Sequence, residues 1–147
     1  MINFEEAYKL VIENAGSMPL EKIPFTASAG RILAEDLHSD IDLPPFDKSA
    51  MDGYACRMAD ISSPLKMIET VPAGKVPEKK IEPGTCSKIM TGAPVPEGAD
   101  CVIMVEKTKL IDQNIIQFTE DRTNGNICFK GEDIKAGDIV LQKGTCI

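Results

Sequence analysis

The sequence predicts an α+β chain that is mainly β, with a β-rich module inserted into a small domain that carries an N-terminal amphipathic helix. Three observations predict it. Apolar residues recur at helical spacing only near the start. Short apolar runs separated by Pro/Gly turns fill the middle. A stiff pair, Pro44-Pro45, and a turn-forming run, Thr123-Asn124-Gly125-Asn126, bracket that middle.

In chain order, Asn3 followed by Glu6 matches a capping box. Phe4, Ala7, Leu10 and Val11, with Tyr8 flanking, then share one helical face before Gly16 closes the run. From residue 18 the character changes: LEKIPF and ILAEDLHSDIDL mix apolar or β-branched residues with polar ones, as strands do, with a short helical turn expected at residues 28–33. Further extended pieces are expected at residues 65–71, 86–90, 101–106 and 108–118, separated by VPAGKVP, EPGT and APVPEGAD. The last, KLIDQNIIQF, reads as a hairpin about Asp112-Gln113-Asn114, whose side chains suit turn backbones. The tail, TNGNICFKGED and IKAGDIVLQKGT, alternates turn and strand, and there is no internal repeat. Both chain ends, residues 1–48 and 124–147, are therefore expected in one discontinuous domain, with residues 49–123 as the inserted β-module.

A domain of 147 residues buries roughly 68–70% of its unfolded surface, enough for a true core. With 43% hydrophobic and 27% charged residues the chain reads as globular, and no apolar run approaches the ~20 residues of a membrane span. Residues 1–10 lack the basic-then-apolar order of a signal peptide, so the expected compartment is the cytoplasm. A net charge of −7 without a Lys/Arg cluster argues against nucleic acid, whose affinity comes from cations displacing counterions. Five scattered cysteines, no C-x-x-C and one histidine, His38, offer no zinc pattern and read as free thiols in a reducing compartment.

Three stretches carry candidate chemistry. In LPPFDKSAMDGYA, Pro44 and Pro45 fix φ and stiffen the strap, and Gly53 is able to take positive φ, so Asp52 is presented with little conformational freedom. Two readings stand: Asp52 hydrogen-bonds its own turn, or it is an ionised carboxylate, unperturbed pKa ~3.9, set for a metal or a reacting group. In KIMTGAPVPEGAD, Thr91-Gly92 ahead of Pro94 and Pro96 puts a hydroxyl on a rigid turn, fit for an oxyanion or a metal-bound water, or simply for turn chemistry. In KGEDIKAGD, Glu132 and Asp133 lie between Lys130 and Lys135; hard cations such as Mg²⁺ take one or two carboxylates plus substrate phosphates, and a solvated charged turn is the alternative. No phosphate-binding glycine loop is present: PAGK lacks both the first glycine and the Ser/Thr, and no nucleophile–histidine arrangement is evident.

Taken together and in this order, PPFDKSAMDGYA, IMTGAPVPEGAD running into CVIMVE, and GEDIKAGDIVLQKGT closely resemble the N-terminal region of MoeA-type molybdopterin molybdenumtransferases, the family that includes the gephyrin E domain. GRILAEDL, ahead of them, belongs to the same likeness, which covers essentially the whole chain. The resemblance implies domains I and II of that family: a linker/dimerisation domain built from both chain ends and the inserted β-module. It further implies a molybdenum insertase that transfers molybdate to adenylylated molybdopterin with the help of Mg²⁺, forming molybdenum cofactor and releasing AMP.

Family members are elongated homodimers whose cleft lies between the β-module of one subunit and the molybdopterin-binding domain of the other, and that domain follows the region seen here. The chain is thus expected to be an N-terminal fragment, inactive alone, of a homodimer that works with molybdopterin adenylyltransferase and molybdoenzyme acceptors. Carried over by motif, Asp52 and Asp133 are acidic cleft residues and Mg²⁺ ligands, Thr91 is a cleft threonine, and Ser49 and Gly92 bind substrate. One departure stands out: where the family often has arginines just before GED, this chain has Cys128 and Phe129, and only Lys130 is basic. The competing expectation is a binding or scaffold module of the same fold without chemistry, which the length of the full open reading frame would separate from the enzyme.

Overall fold

Asparagine starts helices because its short side chain accepts a hydrogen bond from an otherwise unpaired N–H of the first turn. Asn3 does so in the computed structural model, which describes residues 2–16 and 18–147; Met1 and Ser17, both inside the expected 1–48 segment, lie outside the described residues. The Glu6 N–H donates to Asn3 Oδ1 at 2.8 Å and the Asn3 N–H donates to Glu6 Oε2 at 3.3 Å, closing the capping box and opening α1 (Phe4–Asn14). The expected apolar stripe, however, has no core to face: no residue of α1 is buried, and Phe4 and Tyr8 stack on each other in solvent with ring centroids 6.3 Å apart. The cap starts this helix, and its periodicity does not identify a buried face.

The chain divides into two compact units, one of Met1–Leu37 with Leu141–Ile147 and one of His38–Val140. The boundaries expected at 48/49 and 123/124 both fall inside the second unit, on either side of its main sheet. In the first unit the chain ends meet through the main chain: Gly30 N–H donates to Ile147 O and Leu33 N–H to Thr145 O, each at 2.8 Å, and Ile147 N–H donates to Arg31 O at 2.9 Å. The Lys143 N–H adds a bond to Asp36 Oδ1 at 2.7 Å.

The strands expected in LEKIPF and over most of ILAEDLHSDIDL do not form. Pro24 removes a ladder donor and presets φ for a turn, so a 3₁₀ turn at Phe25–Ala27 begins at the last residue of LEKIPF, three residues ahead of the helical turn expected at 28–33. Of the longer stretch only β1 (Leu37–His38) is extended in a ladder.

The named strands make three sheets. β1 pairs with β10 (Ile139–Leu141), and β2 (Lys48–Ser49) pairs with β9 (Ile127–Cys128). The third contains β3 (Gly53–Cys56), β4 (Leu65–Val71), β5 (Thr85–Ile89), β6 (Cys101–Met104), β7 (Thr108–Asp112) and β8 (Ile115–Phe118), in the order β6-β3-β5-β4-β8-β7. All its pairings are antiparallel except β4 with β5. A parallel neighbour cannot follow through a tight hairpin, and the crossover at residues 72–84 is held by Glu69, whose carboxylate accepts the N–H groups of Glu78 and Lys79 at 3.1 Å.

The central strands are covered on both faces. Successive side chains of a strand point to opposite faces, and along β3 Tyr54 and Cys56 join Leu65, Cys86, Ile103, Ile116 and Phe118 in one core cluster, while Ala55 joins Val71, Ile89, Ala93 and Val102 in the other. A two-sided core explains why CVIM reads as a continuous apolar run rather than an alternating one.

β3 itself was not expected, and Gly53 is not the positive-φ turn residue its Asp-Gly context suggests. It opens β3 opposite Ile89 and Met104. Glycine is required there because a Cβ would collide with the Ile103 carbonyl oxygen and sit 3.1 Å from Val102 Cγ1.

Candidate functional site

The candidate residues sit on three loops of the second unit, each fixed by main-chain bonds. After β5, Met90 to Ala93 turn back with Ala93 N–H donating to Met90 O at 3.0 Å. Gly92, at φ 79°, takes the third position, where a type II turn requires positive φ. The strap locks onto this turn: Ser49 N–H donates to Ala93 O at 3.0 Å, Gly92 N–H donates to Ser49 O at 2.8 Å, and Val95 N–H donates to Asp47 O at 2.9 Å.

That clamp brings Asp52 to Thr91. Asp52 Oδ1 accepts both the Thr91 N–H at 2.7 Å and the Thr91 hydroxyl at 2.8 Å. Asp52 therefore does not bond its own turn; it caps a turn 39 residues away. The Thr91 N–H, then its hydroxyl, and more weakly the charge of Lys88 hold the Asp52 carboxyl below the ordinary aspartate range. Both residues are exposed, and among the described residues no donor reaches Oδ2. The pair thus presents one satisfied carboxylate oxygen and one that no described residue engages, with the threonine hydroxyl hydrogen already committed.

Ser49 is enclosed, 1% exposed, and its hydroxyl donates to Met51 O at 2.6 Å. Its contribution to the surface is its carbonyl, which holds Gly92. Asp133 is exposed on the loop after β9, its N–H donating to Leu43 O at 2.9 Å. That loop owes its shape to carboxylates the sequence analysis passed over. Asp47 Oδ1 accepts the Lys130 N–H at 2.7 Å, and Asp42 Oδ1 accepts the Ala136 N–H at 2.9 Å while its Oδ2 lies 3.2 Å from Lys130 Nζ. The Ala136 N–H, followed by Lys130, holds the Asp42 carboxyl below its usual range. Glu132 accepts the Phe129 N–H at 2.9 Å and so closes the GED turn on itself. The signal available in the sequence was the spacing of Asp42 and Asp47 along the strap, since aspartates beside turns commonly bond main-chain N–H groups.

Asp52 and Asp133 lie toward opposite ends of one ladder. Lys48 pairs with Cys128 and Ser49 with Ile127, antiparallel, so the chain runs one way to Asp52 and the other way to Asp133. Among the described residues no group of three or more His, Cys, Asp or Glu side chains is arranged to hold a metal ion. The donor set suits a hard cation that takes a single protein carboxylate and completes its shell with water and ligand oxygens, and Asp52 Oδ2 is such a donor. Lys130 and Lys135 are the cations of this loop, and the Lys130 ammonium is engaged by Asp42.

Comparison with known proteins gives a consistent result. A family model described as "MoeA N-terminal region (domain I and II)" matches residues 2–147. The molybdopterin molybdenumtransferase of Staphylococcus aureus is 37% identical over 153 residues, covering 99% of this chain and 36% of the relative. That of Haemophilus influenzae is 40% identical over 148 residues, covering 92% of this chain and 37% of the relative. Among solved structures, the molybdopterin biosynthesis MoeA protein of Pyrococcus horikoshii OT3 superposes with a TM-score of 0.90 at 38% identity, covering 100% of this chain and 41% of its own. The chain thus spans little more than a third of the length of the curated relatives it matches. Its mainly β architecture, its strap and turn motifs and the full-length family match agree, and the chain belongs to the MoeA N-terminal region family, domains I and II.

Proposed function

We propose that this chain is the N-terminal part of a molybdenum insertase that transfers molybdate to adenylylated molybdopterin, forming molybdenum cofactor and releasing AMP. The name shared by its relatives supports the reaction class, and the observation that carries the site is the Asp52–Thr91 pair, an ionised carboxylate fixed at an exposed turn. A dianionic substrate approaching a chain of net charge −7 needs a cation between them. Mg²⁺, held through Asp52 Oδ2 with its remaining positions filled by water and substrate oxygens, would supply that neutralisation at the phosphoanhydride. Thr91 positions Asp52, Gly92 keeps the turn open to substrate, and Ser49 acts through the carbonyl that anchors Gly92. Asp133 adds acidic charge from the far end of the ladder.

In this reading residues 49–123 are the β-module, inserted into a linker/dimerisation domain of residues 1–48 and 124–147; the pairing of β2 with β9, which closes the chain around the six-stranded sheet, supports that division. Homodimer formation is supported by apolar side chains of the first unit that find no cover, Phe4 at 81%, Met18 at 85% and Phe25 at 87% exposed. A cytoplasmic site, alongside molybdopterin adenylyltransferase and molybdoenzyme acceptors, fits five free cysteines. The same uncovered side chains also favour a second reading, a binding or scaffold module without chemistry.

One assay separates the two. The full-length protein should release AMP from adenylylated molybdopterin in a molybdate-dependent manner. A folded full-length protein that releases none overturns the insertase and leaves the scaffold.

A further inference from the structure

We propose that a recess in the second unit, lined by Met104, Lys107, Arg122, Thr123, Asn124 and Asn126, binds the phosphate-class dianion of a small molecule. Its volume, about 280 Å³, accommodates a phosphate group with part of its ester or its water shell. The inference does not rest on the insertase reading. It rests on the lining, which holds one lysine, one arginine and no carboxylate, with Glu106, Glu120 and Asp121 flanking it in sequence.

The two cations come from separate elements, Lys107 from the 3₁₀ turn Val105–Lys107 after β6 and Arg122 from the connection that follows β8. Lys107 is partly offset by Glu120, at 2.7 Å. Arg122 has no ion-pair partner among the described residues, so its planar fork of donors is open to bidentate contact with an oxyanion.

The main chain adds donors and is held in shape to do so. Asn126 adopts φ 52°, unusual for a residue other than glycine, and its Nδ2 donates to Val102 O at 2.7 Å and to Thr123 Oγ1 at 3.3 Å. Three of the loop's carbonyls are engaged: Gly125 O accepts from Val102 N–H at 2.8 Å, Asn126 O from Ala50 N–H at 3.0 Å, and Asn124 O from the Thr123 hydroxyl at 3.0 Å. Among the described residues the N–H groups of Thr123 and Asn124 have no acceptor. A loop that engages three of its carbonyls and leaves main-chain donors beside an arginine is suited to an anion.

The test is a titration of the isotope-labelled chain, followed by amide chemical shifts at constant ionic strength set with sodium chloride. The probes are inorganic phosphate and glycerol phosphate. Both should produce saturable shifts centred on residues 122–126, weakened about tenfold in Arg122→Gln and also weakened in Lys107→Gln, with Lys66→Gln, on the exposed side of β4, responding like the parent. Tighter binding of the ester assigns the site to a phosphorylated small molecule, and tighter binding of the inorganic ion assigns it to a free oxyanion. Each variant's remaining amide spectrum reports its folding. Absence of saturable shifts with either probe, shifts unchanged in both recess variants, or an equal loss in Lys66→Gln would overturn the proposal.

Discussion

Asp52 and Thr91 were each readable as polar residues on stiff turns, yet their contact was not, because 39 residues separate them and only the sheet brings their loops together. The contact decides how Asp52 titrates. Its folded pKa is depressed by the Thr91 donors, so the stabilisation it contributes is fully present above the unfolded value of ~3.9 and is lost as pH falls through the lower folded value. A carboxyl-carbon NMR titration should show Asp52 ionised below the pH at which a free aspartate protonates, and a midpoint at or above the free value would contradict the capping geometry. Asp52→Asn keeps an oxygen that can accept the Thr91 N–H but removes the charge. In the full-length protein it should leave the melting temperature nearly unchanged while insertion activity falls on the order of 10- to 1000-fold, about 1.4–4 kcal/mol of barrier. Measured on one preparation, unchanged activity with a lowered melting temperature would make Asp52 a structural cap only.

At the level of elements, β4, β5, β6 and the β7–β8 hairpin were legible as short runs set off by VPAGKVP, EPGT, APVPEGAD and Asp112-Gln113-Asn114, although β6 ends at Met104 and the 3₁₀ turn Val105–Lys107 replaces the last residues of the expected 101–106. β3 was hidden because MDGYAC carries the Asp-Gly turn signature, and what places it in the sheet is the close approach of Ile103, a long-range fact. Gly53→Ala therefore tests packing rather than turn conformation. The added Cβ meets main chain that cannot swing aside, so urea unfolding should show a loss of about 1–3 kcal/mol or more; a loss of only a few tenths would mean β3 tolerates a side chain there.

The same sheet buries three thiols. Cys56 faces Cys101 with their sulfurs 3.6 Å apart, a contact that with burial raises the Cys56 pKa, and burial alone raises Cys86 to about 12. Thiolates are the reactive form. At pH 8, Cys146 should label fastest with a thiol reagent, Cys128 more slowly, and Cys56, Cys86 and Cys101 only after denaturation. For Cys86 the sign is that of a raised acid: its contribution to stability is intact below the unfolded value of ~8.5 and drains away between there and about 12, so alkaline unfolding should begin in that window and move upward in Cys86→Ala. Rapid labelling of all five cysteines at pH 8 would show that the core opens readily.

For the molecule as a whole, punctuation at Pro44-Pro45 and at residues 123–126 suggests limits at 48/49 and 123/124, whereas the two compact units divide at 37/38 and 140/141, where contacts distant in sequence, such as Gly30 with Ile147, decide. What the chain can do alone follows from the concavities it owns. A ligand of pterin size is bound tightly when a pocket of roughly 300–1,000 Å³ buries 70–90% of its surface against mostly apolar walls. Two recesses among the described residues are about 280 Å³ each, one lined chiefly by Lys107, Arg122 and three short polar residues, the other by Leu20, Glu21, Lys22, Ala34 and Glu35. Neither has the apolar depth to enclose a fused ring system, and the Asp52–Thr91 turn stands exposed rather than at the floor of a cleft. A micromolar complex needs about −8.2 kcal/mol, more than such shallow surfaces supply after the cost of immobilising the ligand. Isothermal titration of the 147-residue chain with molybdopterin should therefore show no binding at micromolar concentration, and incubation with adenylylated molybdopterin and molybdate should release no AMP. Micromolar affinity in the isolated chain would place the pterin site within these residues and remove the need for a facing domain.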